Sequence, residues 1–398
     1  MEELVGEILL RLPPDEPEHL FRAALVCKPW LRILCDAAFL RRYRAFHGAP
    51  PLLGLLQRNM VIQGDPSPRF VSTTSMPDFP HPGSDGQRTR PLDCRHGRVL
   101  IQMLEDETMD LLIWDPVTGD RHGLLEPRVE WLIYSAAVIC AADGCDHLDC
   151  HGGPFRVVFI GTPEWENTIT ASVYSSETGA WSAPVSFDQS SEAFVKHMRD
   201  GNAATHCYTP YLQPRRGVVI GDQIYFTIRM GNAIVKYDWG KNGLSMIDPP
   251  IAKVFHIALM AMEDSSLGFA CIQNGSLYTW SRKVDSEGAV EWAIGRVIEL
   301  EKMIPVAKPC DGPYVVGSAE GAGVIFISSG ATLFMIKLNS GQVKKVDEAV
   351  DMKDVLGVGV YFSVLPYMSF YTPGMVLCLV PCLLSGIFLY SFSKFALC

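Results

Sequence analysis

Apolar residues in the first part of the chain recur at helical spacing. Leu4, Val5, Ile8, Leu9 and Leu12 fall on one face of a helix, with Glu2, Glu3, Glu7 and Arg11 elsewhere. Pro13-Pro14 ends that helix, since proline lacks the N–H and disfavours helical geometry in the residue before it. A second helix opens at Pro17, where the first helical N–H has no partner anyway, and its apolar side carries Leu20, Phe21, Ala24 and Leu25. Lys28-Pro29 breaks it. A third segment runs from Trp30 to about Tyr43, with Leu31, Leu34, Phe39 and Leu40 apolar and Arg32, Arg41, Arg42 and Arg44 forming a basic surface. Three such short helices bury too little apolar area to be robust alone.

Beyond the joint Ala49-Pro50-Pro51 the period changes. Leu52 to Leu56 reads as a strand, and the stretch from Gln63 to Pro91, rich in Pro, Ser, Gly and Asp, as an irregular insertion. From there to about Gly374, short β-branched and aromatic runs alternate with turn residues. No long amphipathic helix is expected among them, which argues against a parallel α/β sheet. Asn274-Gly275 between two apolar runs predicts a type I′ hairpin turn.

A loose repeat runs through this region. Leu112-Ile113-Trp114-Asp115-Pro116-Val117-Thr118-Gly119 is echoed by Ser172 to Trp181, and more weakly around Tyr237-Asp238-Trp239, Tyr278-Thr279-Trp280 and Phe334 to Gly341. Each copy is a strand ending in a large residue, a polar or Gly-containing turn, then another strand. Copies at this spacing fit propeller blades, because a four-stranded sheet cannot cover both its faces alone and blades around an axis cover one another. The aromatic at each strand end then packs between blades. Six blades are favoured, the sixth closed by the Leu52–Leu56 strand with Tyr361 to Tyr371; five or seven blades, or a two-sheet sandwich, are the alternatives.

The chain is thus read as α+β and multidomain: a small three-helix module over 1–47, an all-β propeller-like domain of about six blades over 48–374, and an apolar extension over 375–398. Its 398 residues suffice for a small module and one large domain. A formal net charge of −10 and a pI near 5.5 argue against general nucleic-acid binding, which needs a basic face. Twelve scattered cysteines and an acidic start without a signal-type apolar run predict reduced thiols in cytosol or nucleus.

The densest candidate for chemistry packs Cys140, Cys145, His147, Cys150 and His151 into a dozen residues. Zinc accepts such ligands, but the spacing C-x4-C-x-H-x2-C-H lacks a C-x2-C knuckle, so a polar inter-strand loop without metal is the preferred reading. No H-E-x-x-H, phosphate loop or G-x-S-x-G is present, and no cofactor or catalytic residue is predicted. Between Val355 and Ser393 no residue is charged, and Met375 to Phe392 is about long enough to cross a bilayer. Pro381, Gly386 and a single basic flank at Lys394 count against an anchor, leaving an added strand or an aggregation-prone tail as the other readings.

The N-terminal pattern resembles the F-box, the adaptor-binding module of cullin-based ubiquitin ligases. The residues carrying the resemblance are Glu7-Ile8-Leu9, Leu12-Pro13-Pro14, Leu20, Arg22-Ala23, Val26-Cys27-Lys28 and Trp30. The second part is similar to the kelch-like or F-box-associated propellers that follow the F-box in plant families, at Trp114-Asp115-Pro116 with Thr118-Gly119, Tyr174 to Trp181 and Tyr361 to Pro373. The resemblance implies a non-catalytic receptor subunit of an SCF-type ligase, with Leu4, Ile8, Leu9, Leu12, Pro13, Leu20, Val26, Cys27, Lys28 and Trp30 as adaptor-binding residues. Its implied partners are the SCF adaptor, cullin through it, and a target protein that the sequence does not identify. Loops Asp143–Gly153, Ala193–Pro214 and Lys308–Pro313 are candidate target contacts. The rival readings are a propeller enzyme or sugar-binding protein, which convergent His, Tyr and Cys at the channel would favour, and a scaffold anchored by the tail.

Overall fold

The computed structural model describes residues 2–58, 70–75, 79, 82, 88–104, 109–163, 168–187, 191–205, 212–228, 233–250, 257–284, 290–305, 312–348 and 363–374. The tail at 375–398, with its anchor reading, lies outside them, as do 308–311 of the third candidate loop. Among the described residues no helix is long and apolar enough to cross a membrane.

The N-terminal module holds four helices rather than three: α1 (Glu2–Leu9), α2 (Glu18–Val26), α3 (Lys28–Cys35) and α4 (Ala37–His47). The predicted third segment begins earlier, at Lys28 with Pro29 in the first turn, and is split at Asp36. Asp36 is extended, and its Oδ1 accepts hydrogen bonds from the N–H groups of Ala38 at 3.0 Å and Phe39 at 2.9 Å. Helical periodicity is blind to such a break, because Leu34 and Phe39 still turn to one core on either side of it. Asp36→Ala should lower stability by about 1 kcal/mol in a denaturant titration. A loss of only a few tenths would mean that packing alone sets the break. Arg44 is not on the basic surface: it is 8% exposed and pairs with Asp149 of the propeller.

The strands form six antiparallel sheets. β1 (Leu52–Arg58) and β2 (Phe70–Ser72) precede blade I, made of β3 (Thr89–Arg95), β4 (Arg98–Met103), β5 (Asp110–Trp114) and β6 (Arg121–Leu124). Blade II holds β7 (Ile133–Cys140), β8 (Phe155–Thr162), β9 (Ile169–Ser175), β10 (Ala180–Trp181) and β11 (Val185–Phe187); blade III holds β12 (Val218–Ile220), β13 (Gln223–Thr227), β14 (Ile234–Asp238) and β15 (Gly243–Ile247). Blade IV holds β16 (Ala258–Ala261), β17 (Leu267–Gln273), β18 (Ser276–Val284) and β19 (Val290–Glu299); blade V holds β20 (Tyr314–Ala319), β21 (Val324–Ser329), β22 (Thr332–Lys337) and β23 (Val343–Glu348). The last strand, β24 (Ser363–Met368), pairs antiparallel with β1, Leu52 opposite Met368 and Leu56 opposite Leu365. Blade VI is therefore built from both ends of the propeller sequence, and the ring closes as expected. This excludes the sandwich.

Six apolar clusters hold the ring, each between two neighbouring blades, and the repeat aromatics lie in or against them. Trp114 sits with Leu53, Phe70 and Leu365 between blades VI and I, and Tyr174 with Leu100 and Phe159 between I and II. Tyr237, Trp280 and Phe334 fill the same role at the next three junctions. Because both faces of a blade are covered, inner strands such as β8 read as near-continuous buried runs instead of alternating ones. Of the outermost strands, β19 is mostly and β23 half exposed, and they carry Glu, Lys and Arg, which discourages pairing with another chain.

The repeat turns have one local cause. Gly119, Gly179 and Gly341 have φ of 79°, 65° and 69°, and each donates its N–H back to the residue four earlier, Asp115, Ser175 and Lys337. Glycine adopts that left-handed geometry without a Cβ penalty. Asn274 and Gly275 have φ of 48° and 73°, as a type I′ hairpin requires. One helix does interrupt the strands: α5 (Glu192–Thr205) lies between blades II and III, where a loop was expected, and buries Phe194 against Phe187. Its polar composition hid it.

Candidate functional site

Three features bear on function: the surface of the helical module, its seat on the propeller, and the mouth of the central channel.

The proposed adaptor residues divide by exposure. Leu9 and Leu20 are each 1% exposed and belong to the module's own core with Leu34, Phe39 and Tyr43. Leu12, Pro13 and Trp30 are half-buried, and Tyr43 donates its hydroxyl to the Leu12 carbonyl at 2.8 Å. Leu4 and Ile8, one turn apart on α1, are 66% and 56% exposed, and Val26 is 63% exposed, followed by exposed Cys27 and Lys28. Leu25, assigned inward from periodicity, is 71% exposed. It stands five residues past Leu20, on the far side of the helix.

The module is seated on the face where the first turn of each blade emerges. Phe370, just past β24, is 1% exposed and enters the helical core, its ring centroid 6.0 Å from that of Tyr43. Phe21 meets Tyr371 at 5.1 Å. From blade II, Leu148 packs on the same helical core and Asp149 binds Arg44. Burial pulls the Arg44 guanidinium below its ordinary range, against the opposing pull of Asp149. His151 Nδ1 lies 2.5 Å from Asp115 Oδ2, and its Nε2 lies 3.1 Å from Ser369 Oγ, so it is taken up between blades I and VI. Gly97 leaves room for this ring: a Cβ there would stand 2.8 Å from it.

Within the channel, four charges form a closed network. Asp93 binds Arg95 at 2.5 Å and Arg216 at 3.0 Å, and Glu320 binds Arg95 at 3.0 Å and Arg216 at 3.2 Å. Burial alone would raise the Glu320 carboxyl, but Arg216 and Arg95 outweigh it and hold it at about 2. Arg215, brought down to about 10 by burial, donates to the carbonyls of Ile257 and Val315. The void beside it is about 20 Å³, room for roughly one water.

The channel mouth is wider, a depression of about 480 Å³ lined by turns of blades I to V, including His96, Cys140, Cys145, His147, Asp222 and Glu320. In its wall the ligand atoms of Cys140, Cys145, His147 and Cys150 all lie within 4.8 Å of one another. The sequence spacing hid this convergence, because Cys140 ends strand β7 while the other three belong to the loop that folds back on it. His151, counted with them from sequence, is elsewhere. Beneath the cluster the His96 ring stacks on His147 at 4.1 Å, and its Nδ1 accepts from the Cys140 N–H at 3.3 Å. Burial first, and His147 next, push His96 down to about 3, which keeps it neutral and able to accept.

These features define a six-bladed propeller with a helical module seated on one face. Residues 91–375 match the family described as F-box protein AT5G49610-like, beta-propeller, and the chain belongs to it. A comparison with curated proteins finds no match. Among solved structures, a streptogramin B lyase is 13% identical over 66% of this chain and 74% of its own, with a TM-score of 0.34. A luciferin-regenerating enzyme is 10% identical over 70% of this chain and 93% of its own, with a TM-score of 0.37. A catalytically inactive virginiamycin B lyase from Staphylococcus aureus, with quinupristin, is 12% identical over 67% and 75%, with a TM-score of 0.34. Likenesses of this size carry no argument about this chain.

Proposed function

We propose that this protein is a substrate-receptor subunit of an SCF-type cullin ubiquitin ligase, in which the helical module over residues 1–47 acts as the F-box. The observation that carries the reading is the apolar surface left on that module. Leu4, Ile8, Leu25 and Val26 are all more than half exposed, although the module has a complete core without them. Exposed apolar side chains at one-turn spacing on α1 are what a groove-bearing partner takes up. Membership of a propeller family named for F-box proteins supports the same reading.

In this role the chain supplies proximity rather than chemistry. The adaptor and cullin bring the ubiquitin-charged enzyme, the propeller holds a target protein, and tethering raises the effective concentration of target lysines. The helices and the Asp143–Gly153 loop share one face of the ring, so loops of the opposite face, including the connection that carries α5, are left to the target.

The test is binding of the full chain to purified adaptor, with and without the double substitution Leu4→Asp and Ile8→Asp. Placing a charge at an apolar anchor costs about 2 kcal/mol or more, so binding should weaken at least ~30-fold while the fold, read by circular dichroism, persists. No binding by the unaltered chain, or equal binding by the variant, would sink the proposal.

A further inference from the structure

We infer that Cys140, Cys145, His147 and Cys150 form a structural binding site for a thiophilic divalent cation, Zn(II) being the natural fit, and that this site fastens the helical module to the propeller. The distances argue for the ion. Zinc with thiolate bonds near 2.3 Å and a histidine bond near 2.05 Å, held tetrahedrally, sets its sulfurs about 3.8 Å apart and sulfur about 3.6 Å from nitrogen. The chain holds Cys145 Sγ 3.6 Å from Cys150 Sγ, and Cys150 Sγ 3.7 Å from His147 Nδ1. A disulfide would bring the two sulfurs to about 2.05 Å.

The loop is built around these atoms. Gly144 and His147 both take positive φ, 62° and 60°, folding the chain back so that positions two and three residues apart face one centre. The His147 N–H points to Cys145 Sγ at 3.4 Å, a donor that offsets thiolate charge, and stacking on His96 sets the His147 ring. Arg98 Nη2 donates to the carbonyls of Cys150 and Gly153, each at 2.5 Å, and pins the far end of the loop.

Three thiols and one imidazole make a complete tetrahedron, so no position is open to a substrate, and the site is structural rather than catalytic. On binding Zn(II) the three thiols release their protons to solvent, no electrons are transferred, and the site carries one net negative charge. Between His147 and Cys150 lie Leu148, packed on the helical core, and Asp149, bound to Arg44. The ion would therefore hold, from inside the propeller, two of the side chains on which the helices rest, at no cost to the adaptor surface on α1.

The experiment uses the full chain purified under reducing conditions. Zinc content is measured directly, and the chain, stripped with a chelator, is then titrated with Zn(II) alone and with Co(II) alone. About one zinc per chain is expected, with the intense visible bands of tetrahedral thiolate-bound Co(II). Cys145→Ser with His147→Ala should abolish both; because His147 is exposed and Cys145 only half-buried, while Cys150 is left in place in the core, the variant should keep its fold. Zinc-loaded protein should also resist proteolysis within 141–149, where the stripped chain is cut. Absence of zinc together with no Co(II) bands would overturn the inference. So would unchanged zinc content in the double variant, or a Cys145–Cys150 disulfide that forms in the presence of zinc. Loss of adaptor binding alone bears on the receptor proposal and leaves this one intact.

Discussion

Asp93→Ala should be among the most damaging single substitutions in the chain, costing on the order of 3–5 kcal/mol. Asp93 is fully buried, and its carboxylate faces Arg95 and Arg216 while also accepting the Val138 N–H at 2.9 Å. Removing it leaves two guanidinium groups in the channel with Glu320 as their one remaining carboxylate partner in the network, and takes a side-chain acceptor from the Val138 N–H of blade II. The penalty is that of desolvated charge without compensation, which exceeds the gain from forming the pair. A denaturant titration reads it, and a loss under about 1 kcal/mol would show that water already screens the network. The same network sets an acid limit. Glu320 is held at about 2, below its ordinary 4.5, so its contribution is complete above pH 4.5 and is lost as pH falls towards 2. Glu320→Gln should flatten the stability profile across that window.

Phe370→Ala should release the helical module from the propeller. Truncating a buried phenylalanine costs about 3–5 kcal/mol, through lost apolar transfer and the cavity left behind. Phe370 is the fully buried propeller side chain of the helical core, against which Leu148 packs only partly buried and beside which Tyr371 meets Phe21. The loss should therefore fall on the junction. Hydrogen exchange should accelerate in α2 to α4 while the inner strands of blades II to V stay protected. Uniform acceleration over the whole chain would instead mean that helices and ring unfold as one unit. A module of this size has little core of its own to fall back on.

Much of this architecture was legible in the residues because it rests on local rules. The end of α2 just ahead of Lys28-Pro29, the Asn274-Gly275 hairpin and the Thr118-Gly119 turn each follow from what a backbone can do with those residues, whereas α1 already stops at Leu9, ahead of Pro13-Pro14. The ring closure was legible for a different reason: an apolar strand at Leu52 and another before Tyr371 fell outside the five repeat copies and together made a sixth blade.

Where local rules compete, the sequence was silent. Periodicity could not tell Leu9, in the core, from Ile8, on the surface, or expose Leu25, because the direction in which a short helix faces depends on what it packs against. Arg44 looked like surface charge and is a buried contact, since Asp149 lies about a hundred residues away in the chain.

By itself the sequence determined most of the chain's element types, α5 and the break at Asp36 excepted, its blade period and its likeness to F-box proteins, all properties of near neighbours along the backbone. Tertiary structure alone decided which apolar side chains remain outside, which four charges plug the channel, and which four ligand atoms meet at Cys140. Those are contacts between distant segments, and their geometry exists only once the ring has closed.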